Sequence, residues 1–398
     1  MVRSTFAHID LGAVRANYRT VSSYVERGSG RPDVIAVVKA NGYGHGAVPV
    51  ARALESAGAG MLACADIEEG VELRRGGVKA SILVFGALSV SELDGVFNYG
   101  LTPTVSSPFA ARALRDAATR RGTCVACHLK IDTGMNRLGF RYDNLSQTVP
   151  EVLDGSGLEI GAVYTHFATA DDPVHSLFDV QRIRFDEALS CLAGFGVRPK
   201  LKHAANSAAL LRERDTWYGA VRPGLLIYGI APPGYSGLLP LMPVMSLRSR
   251  VVAVKGMRVG ETTGYGARSA ASRPTTVAVV PAGYADGLDV RIAGRGSAIV
   301  RGHRVRVVGS VCMDSITIDV TGLDVTPGDE VVLVGTQDGT SIDANEMAEM
   351  IGTVPHEILC RIGSRIIRTY DSEDERVVPT VHQNEGCAGV PAGARRTP

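Results

Sequence analysis

A lysine with a glycine-rich flank is the first group in this sequence that could do covalent chemistry. Lys39 ends the apolar run Val34–Val38, and Asn-Gly-Tyr-Gly-His-Gly follows it at residues 41–46. Glycines let a backbone approach a ligand closely. A lysine amine at a strand end, facing an apolar pocket, is neutral often enough to form an imine with a carbonyl compound. The competing interpretation is a lysine that only extends into solvent, which is the usual role of an isolated lysine.

Two cysteines, Cys124 and Cys127, have the C-x-x-C spacing of redox and zinc sites. They lie in an apolar run over 124–131 that predicts a strand, where residues three apart face opposite sides. The two sulfurs should therefore diverge, and we expect no metal site. The seven cysteines of the chain are scattered and odd in number, which is not the pattern of a disulfide framework.

The first 230 or so residues alternate short apolar runs with amphipathic segments. The predicted strands are Val34–Val38, Met61–Ala65, Ser81–Phe85, Leu101–Val105, Val125–Ile131, Ile160–His166, Lys200–Ala204 and Leu225–Tyr228. The clearest predicted helices are Ala47–Ala57, Ile67–Arg75, Pro108–Arg121 and Leu177–Ala193. Eight such repeats predict an α/β fold, a (β/α)8 TIM-like barrel, with an open doubly wound sheet as the competitor. Lys39, Lys130 and His166 fall at carboxyl ends of predicted strands, which is the rim that carries the active site of a barrel.

The pattern changes near residue 240, where Val-rich runs and turns replace the helices. The predicted strands there are Arg250–Val254, Thr276–Val280, Ala298–Val300, Val305–Val311, Ile316–Val320, Val331–Val334 and Arg365–Tyr370. One helix, Ala344–Ile351, has Asp343 as a predicted N-cap and Gly352 as a predicted C-cap. We therefore predict a barrel over residues 1–240, a mainly antiparallel β-domain over 241–370 and a disordered tail over 371–398.

The composition is that of an ordinary globular protein, with 45% hydrophobic and 21% charged residues. The 42 basic and 41 acidic residues give a net charge of +1, so no basic field favours nucleic acid or an anionic membrane. No apolar run approaches the roughly 18 residues of a membrane span, and the first ten residues do not resemble a signal peptide. These features predict a cytoplasmic protein.

An ordered set of motifs is similar to those of the alanine racemase family. The segments are 37–46, 130–139, 164–171, 205–207, 222–224, 264–266, 283–287 and 312–314, within a similarity that runs from residue 5 to about 370. The resemblance implies a pyridoxal-phosphate-binding barrel followed by a β-domain, and a head-to-tail homodimer with shared active sites. It also implies interconversion of L-alanine and D-alanine, with D-alanine supplied for peptidoglycan.

Two acid–base groups follow from this resemblance. Lys39 would hold pyridoxal phosphate as a Schiff base and, once released, would deprotonate D-alanine. Tyr265 would deprotonate L-alanine from the opposite face of the α-carbon and would come from the partner subunit. An isolated Gly-Tyr-Gly is more often a turn, so only the resemblance gives Tyr265 this role.

The remaining site residues are also implied by the resemblance. Arg222 would contact the pyridine nitrogen and His166 would hydrogen-bond to Arg222. The other cofactor-binding residues would be Tyr43, Asn206, Ser207, Gly224, Leu225 and His356. Arg137 and the amide of Met313 would hold the substrate carboxylate, and Lys130 is the counterpart of a lysine that is carbamylated in several relatives. The access channel would be lined by Asp171, His203, Tyr284 and Asp314.

Two departures from the family pattern stand out. His356 stands where the family usually has a tyrosine that binds phosphate and narrows the substrate pocket. Ser310 stands where a channel arginine is common. The first leaves open a racemase of broader or different specificity, such as one for serine.

Two alternatives lie outside racemisation, namely a non-catalytic pyridoxal-phosphate-binding barrel of vitamin homeostasis and a decarboxylase of the same barrel type. The predicted β-domain and Tyr265 argue against the first, because such proteins resemble a barrel alone. The decarboxylases do not resemble the Tyr265 region and residues 312–314 as closely.

Overall fold

The fold was analysed in a computed structural model that describes residues 4–28, 30–88, 93–267 and 269–371. The predicted disordered tail lies outside the described residues except for residue 371.

Residues 33 to 221 form the predicted closed barrel of parallel strands. The eight strands are Asp33–Val37, Met61–Cys64, Ser81–Val84, Thr102–Val105, Val125–Asp132, Leu158–Tyr164, Leu201–His203 and Ala220–Val221. Pairing of Thr104 with His128 joins the fourth strand to the fifth, and pairing of Ala220 with Asp33 joins the last to the first. An open doubly wound sheet has no such closure, so the barrel prediction is confirmed.

The predicted eighth strand was wrong. Leu225–Tyr228 is a 3-10 helix, and the strand is the two-residue segment Ala220–Val221. Pro223 lacks the N–H that a continuing ladder needs, and Gly229 ends the helix in the left-handed conformation with φ +80°. The apolar run is fully buried, which explains why its composition resembled a core strand.

Helices cover the outside of the barrel. They are Leu11–Glu26, Ala47–Ser56, Ile67–Arg75, Asp94–Asn98, Pro108–Arg120, Leu145–Leu153, Leu177–Gly194 and Ser207–Arg212. The helix Leu11–Glu26 precedes the first barrel strand and packs beside the 3-10 helix Leu225–Tyr228. There the buried Asn17 amide donates to the carbonyls of Ile227 and Met242. The helix thereby occupies the place of an eighth barrel helix.

A second, mainly antiparallel sheet follows the barrel. Its strands are Phe6–Ile9, Met245–Arg250, Ala253–Met257, Thr275–Val280, Ser297–Val300, His303–Val308, Ile316–Asp319, Glu330–Gln337, Thr340–Ile342 and Ile367–Tyr370. Phe6–Ile9 was expected within the barrel region, but it pairs with Met245–Arg250 on one side and with Ile367–Tyr370 on the other. The N-terminus therefore belongs to this sheet.

The predicted strand Arg250–Val254 is broken in the middle because the chain changes partners there. The Val251 amide donates to Asp329, whereas the Val252 amide donates to Val279 on a different strand. The predicted helix Ala344–Ile351 is confirmed, with the Asp343 carboxylate accepting from the Glu346 amide and Gly352 in the left-handed region. A short helix not predicted from the sequence, Pro355–Cys360, follows it.

Among the described residues, no helix combines the length and the apolar character of a bilayer span.

Candidate active site

The carboxyl ends of the barrel strands bring together most of the sequence-predicted site residues. Parallel strands share one rim at their carboxyl ends. The residues at or just after those ends are Lys39, Lys130, His166, Ser207 and Arg222.

The chain turns left-handed immediately after Lys39. Ala40, Asn41, Gly42 and Tyr43 have φ values of 52°, 53°, 61° and 53°. Each non-glycine residue in this region costs about 1–2 kcal/mol. The turn is held by the His45 ring, whose Nδ1 donates to the carbonyls of Gly42 and Tyr43 at 3.0 and 2.9 Å.

The C-terminal segment fixes this turn from outside through two glycines. A Cβ on Gly44 would lie 2.3 Å from the carbonyl oxygen of Leu359, and one on Gly46 would lie 2.1 Å from the Tyr370 hydroxyl. That hydroxyl donates to the carbonyl of His45 at 3.2 Å. The spacing of glycines in the motif therefore reflects contacts with residues more than 300 positions later in the chain.

Burial is the main cause that lowers the pKa of Lys39, and the nearby Arg137 guanidinium lowers it further. Cys360 and Glu69 act in the opposite direction. Because the neutral amine is the nucleophile and the base, this environment favours the reactive form of the lysine.

Arg222 is a buried cation held by a ring of acceptors. Its guanidinium donates to His203 Nδ1 at 2.8 Å, to His166 Nδ1 at 3.2 Å and to the carbonyls of Thr165 and Ala204 at 2.8 and 2.9 Å. Burial lowers its pKa to about 10, so the guanidinium keeps its proton near neutral pH.

The expectation that His203 lines the access channel was wrong. Its side chain is fully buried beneath Arg222, and its ring stacks on Tyr164 at 4.7 Å. Since Arg222 can only donate, the proton of neutral His203 lies on Nε2, which donates to Nδ1 of the buried His128 at 3.0 Å. The pair anchors Arg222 from inside the barrel.

The buried histidines predict a pH-dependent stability. Burial lowers the pKa of His45 and His128 to about 4, and Arg222 adds to the effect on His128. An unfolded histidine titrates near 6.5, so below that pH the unfolded state binds more protons than the folded state. We expect the free energy of unfolding to fall below about pH 6.5, by up to about 1.4 kcal/mol per pH unit for each such histidine.

Urea unfolding between about pH 5 and pH 8 measures this slope. His128→Gln should reduce the slope by one histidine, whereas the same change at the exposed His303 should leave it unchanged. An unaltered slope in His128→Gln would contradict the assignment.

Hydroxyl groups converge on the backbone of Gly224. The Ser207 Oγ accepts from the Gly224 amide at 2.9 Å, and a Cβ at Gly224 would lie 2.4 Å from the Tyr43 hydroxyl. Burial raises the pKa of Tyr43, so its hydroxyl remains a donor.

Three further predicted cofactor-binding residues lie around these hydroxyls. Leu225 follows Gly224 at the start of the 3-10 helix, and the centre of the His356 ring lies 5.6 Å from that of the Tyr43 ring. Asn206 caps the helix that begins at Ser207, its side chain accepting from the Ala209 amide at 3.0 Å.

A second cationic group lies across the rim. Burial lowers the pKa of Lys130 to about 8, and Arg137, Arg222 and Lys39 also contribute to the lowering. The exposed Arg137 sits in a loop that Asp132 shapes by accepting the amides of Gly134 and Asn136 at 3.0 and 3.1 Å.

His356 and Asp171 lie together beside this rim. Burial lowers the pKa of His356, and Lys39 lowers it further while the exposed Asp171 opposes the shift.

The β-domain carries the other predicted groups on an exposed face. Tyr265, Met313 and Tyr284 are 77%, 54% and 45% exposed. The hydroxyl of Ser310 donates to the Tyr265 carbonyl at 2.6 Å, and the amide of Tyr284 donates to Cys312 at 3.0 Å. Tyr265 lines an open cavity of about 430 Å³ made of β-domain residues, and Lys39 is not among the residues that line it. Asp314 is also exposed.

Some residues that support the rim were not predicted. Gln181 is fully buried, accepts the Ala168 amide at 2.8 Å and donates to the His166 carbonyl at 3.0 Å. A polar residue on the apolar face of the helix Leu177–Gly194 was the available signal. The Tyr228 hydroxyl donates to the Val37 carbonyl at 3.0 Å and gave no such signal, because an aromatic residue is ordinary in a core.

Comparison with known proteins covers both parts of the chain. Residues 9–232 match the family described as alanine racemase, N-terminal domain, and residues 244–370 match alanine racemase, C-terminal domain. The alanine racemase of Symbiobacterium thermophilum is 41% identical over 374 residues, which cover 94% of this chain and 98% of the relative.

Solved structures agree with this comparison. The alanine racemase of D-cycloserine-producing Streptomyces lavendulae superposes with a TM-score of 0.88 at 34% identity, over 94% of this chain and 98% of that one. The Bartonella henselae alanine racemase, solved with covalently bound pyridoxal phosphate, superposes with a TM-score of 0.82 at 30% identity, over 93% and 100% of the two chains.

Proposed function

The chain belongs to the alanine racemase family, and from that premise we propose that it interconverts L-alanine and D-alanine with pyridoxal phosphate as its cofactor. The observation that carries the proposal is the barrel rim, where a lysine of lowered pKa lies near a buried arginine and a cluster of hydroxyl donors.

The donor set of the rim fits this cofactor. The hydroxyls of Ser207 and Tyr43 and the amide of Leu225 offer donors that a phosphate needs, and His356 adds a ring nitrogen. The Gly224 amide would join them by exchanging its bond to Ser207 for one to the phosphate. Asn206 contributes by capping the helix that carries Ser207. Lys39 would hold the aldehyde carbon. The chemistry that bound pyridoxal phosphate supplies is withdrawal of electrons from the α-carbon of the amino acid.

Arg222 would face the ring nitrogen of the cofactor, with His166 beside it. An arginine donates a hydrogen bond but does not give up its proton, so the nitrogen it contacts stays largely unprotonated. The bonds from Arg222 to His203 and to two carbonyls hold the guanidinium in one orientation. A ring nitrogen that stays unprotonated withdraws fewer electrons from the α-carbon, which favours simple return of the proton over side reactions.

Racemisation needs one acid–base group on each face of the α-carbon. We assign Lys39 Nζ to remove the proton of D-alanine and Tyr265 Oη to remove that of L-alanine. Each group then holds the proton it has taken while the other returns one to the opposite face.

Because Tyr265 is exposed on a separate face, we propose a homodimer in which the partner's Tyr265 completes the site. Exposed apolar surface at Tyr265, Met313 and Tyr284 supports an interface there, since a monomer rarely leaves such a patch uncovered. Tyr284 and Asp314 would then line the access channel together with Asp171.

The substrate carboxylate would be held by Arg137 and by the amide of Met313 from the partner. Lys130 lies among the cations Arg137, Arg222 and Lys39, which favour its neutral amine. We propose that this amine adds to carbon dioxide and loses a proton, giving a carbamate whose negative charge orients Arg137.

A second candidate function, a racemase of broader specificity, is favoured by His356. Its ring lies 5.6 Å from that of Tyr43, and Lys39 contributes to the lowering of its pKa. Histidine is shorter than the tyrosine usual in the family, which leaves more room for a side chain such as that of serine.

We predict that His356→Tyr raises the preference for alanine over serine about tenfold, because added bulk excludes the larger substrate. Racemisation of a panel of L-amino acids, followed by chiral chromatography, measures kcat/KM for each. If L-serine or L-lysine exceeds L-alanine in the unaltered chain, the alanine assignment fails. An unchanged preference in His356→Tyr would show that position 356 does not select the substrate.

The two functions outside racemisation are disfavoured. A vitamin-homeostasis barrel would not account for the C-terminal part that matches over residues 244–370. A decarboxylase is disfavoured because both family models that match describe alanine racemase.

We further propose that the enzyme works in the cytoplasm and supplies D-alanine for peptidoglycan. The six cysteines that the structure describes are all free, as expected in a reducing compartment.

A further inference from the structure

Glu69 connects the ends of two neighbouring barrel strands. Its Oε1 accepts the amide of Ala40, the residue after Lys39, at 2.6 Å. Its Oε2 accepts the amide of Ala65, just after the strand Met61–Cys64, at 2.7 Å. One carboxylate therefore holds the first residue of the left-handed turn against the adjacent strand end.

The position of Glu69 in its helix makes this arrangement unusual. Asp66 is the N-cap of the helix Ile67–Arg75 and accepts the Glu69 amide at 2.8 Å, which places Glu69 third in the helix. A glutamate there ordinarily reaches back to the amide of the cap residue itself. Here the carboxylate instead reaches Ala65 and, across the rim, Ala40. The side chain therefore stabilises the turn after Lys39 rather than capping its own helix.

The carboxylate also has an electrostatic effect on the lysine. Burial raises the pKa of Glu69, while the amides of Ala65 and Ala40 lower it. An ionised Glu69 in turn opposes the lowering of the Lys39 pKa. Partial burial of a carboxylate costs free energy unless hydrogen bonds compensate, and both amides provide such bonds.

We propose that Glu69 is a positioning residue of the active site: by accepting the Ala40 and Ala65 amides it fixes where the Lys39 amine stands. The left-handed turn after Lys39 is strained, and a strained backbone persists only where surrounding contacts hold it. The hydrogen bonds to Glu69 are such contacts. The inference rests on the proposed function of Lys39.

The test compares Glu69→Gln and Glu69→Asp with Glu72→Gln, a matched change on the exposed side of the same helix. Two quantities are measured: kcat and KM for L-alanine, and the pH midpoint at which cofactor-free dimer captures added pyridoxal phosphate, followed by visible absorbance. The other titratable or charged groups that face Lys39 remain in every variant: Arg137, Lys130, His166, His356 and Cys360.

Glutamine keeps the shape but loses the charge, and its amide nitrogen cannot accept one of the two backbone N–H groups. We expect kcat to fall about tenfold with KM nearly unchanged, since roughly 1.4 kcal/mol of positioning is lost. The capture midpoint should move to lower pH, because the amine loses the neighbour that raises its pKa. Aspartate keeps the charge but is too short to span both amides, so kcat should fall while the midpoint stays near that of the unaltered chain.

Three outcomes decide the matter. Wild-type kcat and midpoint in Glu69→Gln would overturn the proposal, and so would equal effects in Glu72→Gln. If Glu69→Gln does not fold, the same two measurements on Glu69→Asp decide, because retained kcat in that variant also overturns it. Failure of the unaltered chain to capture the cofactor or to racemise alanine would instead refute the proposed function.

Discussion

Lys39→Ala is expected to abolish racemisation, with a loss of about 10⁴-fold or more, and to remove the visible absorbance of the lysine-bound cofactor. The variant loses the covalent anchor and one of the two acid–base groups together. The measurement is the absorbance spectrum of the purified protein beside its rate of D-alanine formation.

The loss at Lys39 should be specific to this amine. Lys79→Ala removes an exposed lysine from the surface and should change neither the spectrum nor the rate. Circular dichroism would show whether the folded state survives in both variants. Retained racemisation in Lys39→Ala would refute the mechanism, because no other lysine stands at the end of the strand Asp33–Val37.

Tyr265→Phe is expected to lower kcat by about 10²–10⁴-fold while the cofactor absorbance stays that of the unaltered chain. Phenylalanine retains the ring and loses only the hydroxyl that carries the proton. The Ser310 bond is to the Tyr265 carbonyl, so the loop should keep its shape. A variant that loses both activity and cofactor would indicate a structural role instead.

Mixed dimers test whether Tyr265 acts on the partner. Coexpression of Lys39→Ala and Tyr265→Phe chains should restore about a quarter of the unaltered activity, because half of the dimers are mixed and each has one intact site. Absence of any recovery would mean that Lys39 and Tyr265 of the same chain form the site.

Much of the barrel could be predicted because its strands are short buried runs separated by clear helical periods. The helix Ile67–Arg75 matched the prediction at both ends, since Asp66 and Gly76 mark them. The eighth strand was wrong because Leu225–Tyr228 has the composition of a core strand and the conformation of a helix. The local signals were Pro223 and Gly229, which flank the segment. The true strand at Ala220 is set by pairing with distant residues, which leaves no local signal.

The residues of the site likewise divide into those that a sequence motif predicts and those that only the folded structure reveals. Lys39, Arg222 and Ser207 followed from motifs that read in order along the chain, whereas Glu69 did not, because its function lies in accepting a backbone amide from another strand. His203 was misplaced for a related reason. A histidine at a strand end can face the channel or the interior, and only the packing on Tyr164 shows that it faces inward.

The strand Phe6–Ile9 ties the two halves of the molecule together in a way that affects folding. The barrel sequence lies between this strand and the sheet it joins, so two covalent connections, rather than one, link the barrel to the second sheet. Relative motion of the rim and the Tyr265 face is restricted accordingly. During synthesis, the first strand must wait for Met245–Arg250 to emerge, and the edge is complete only when Ile367–Tyr370 follows. Such distant pairing slows folding, and the strand Phe6–Ile9 has both of its partners only once residues up to Tyr370 have been synthesised.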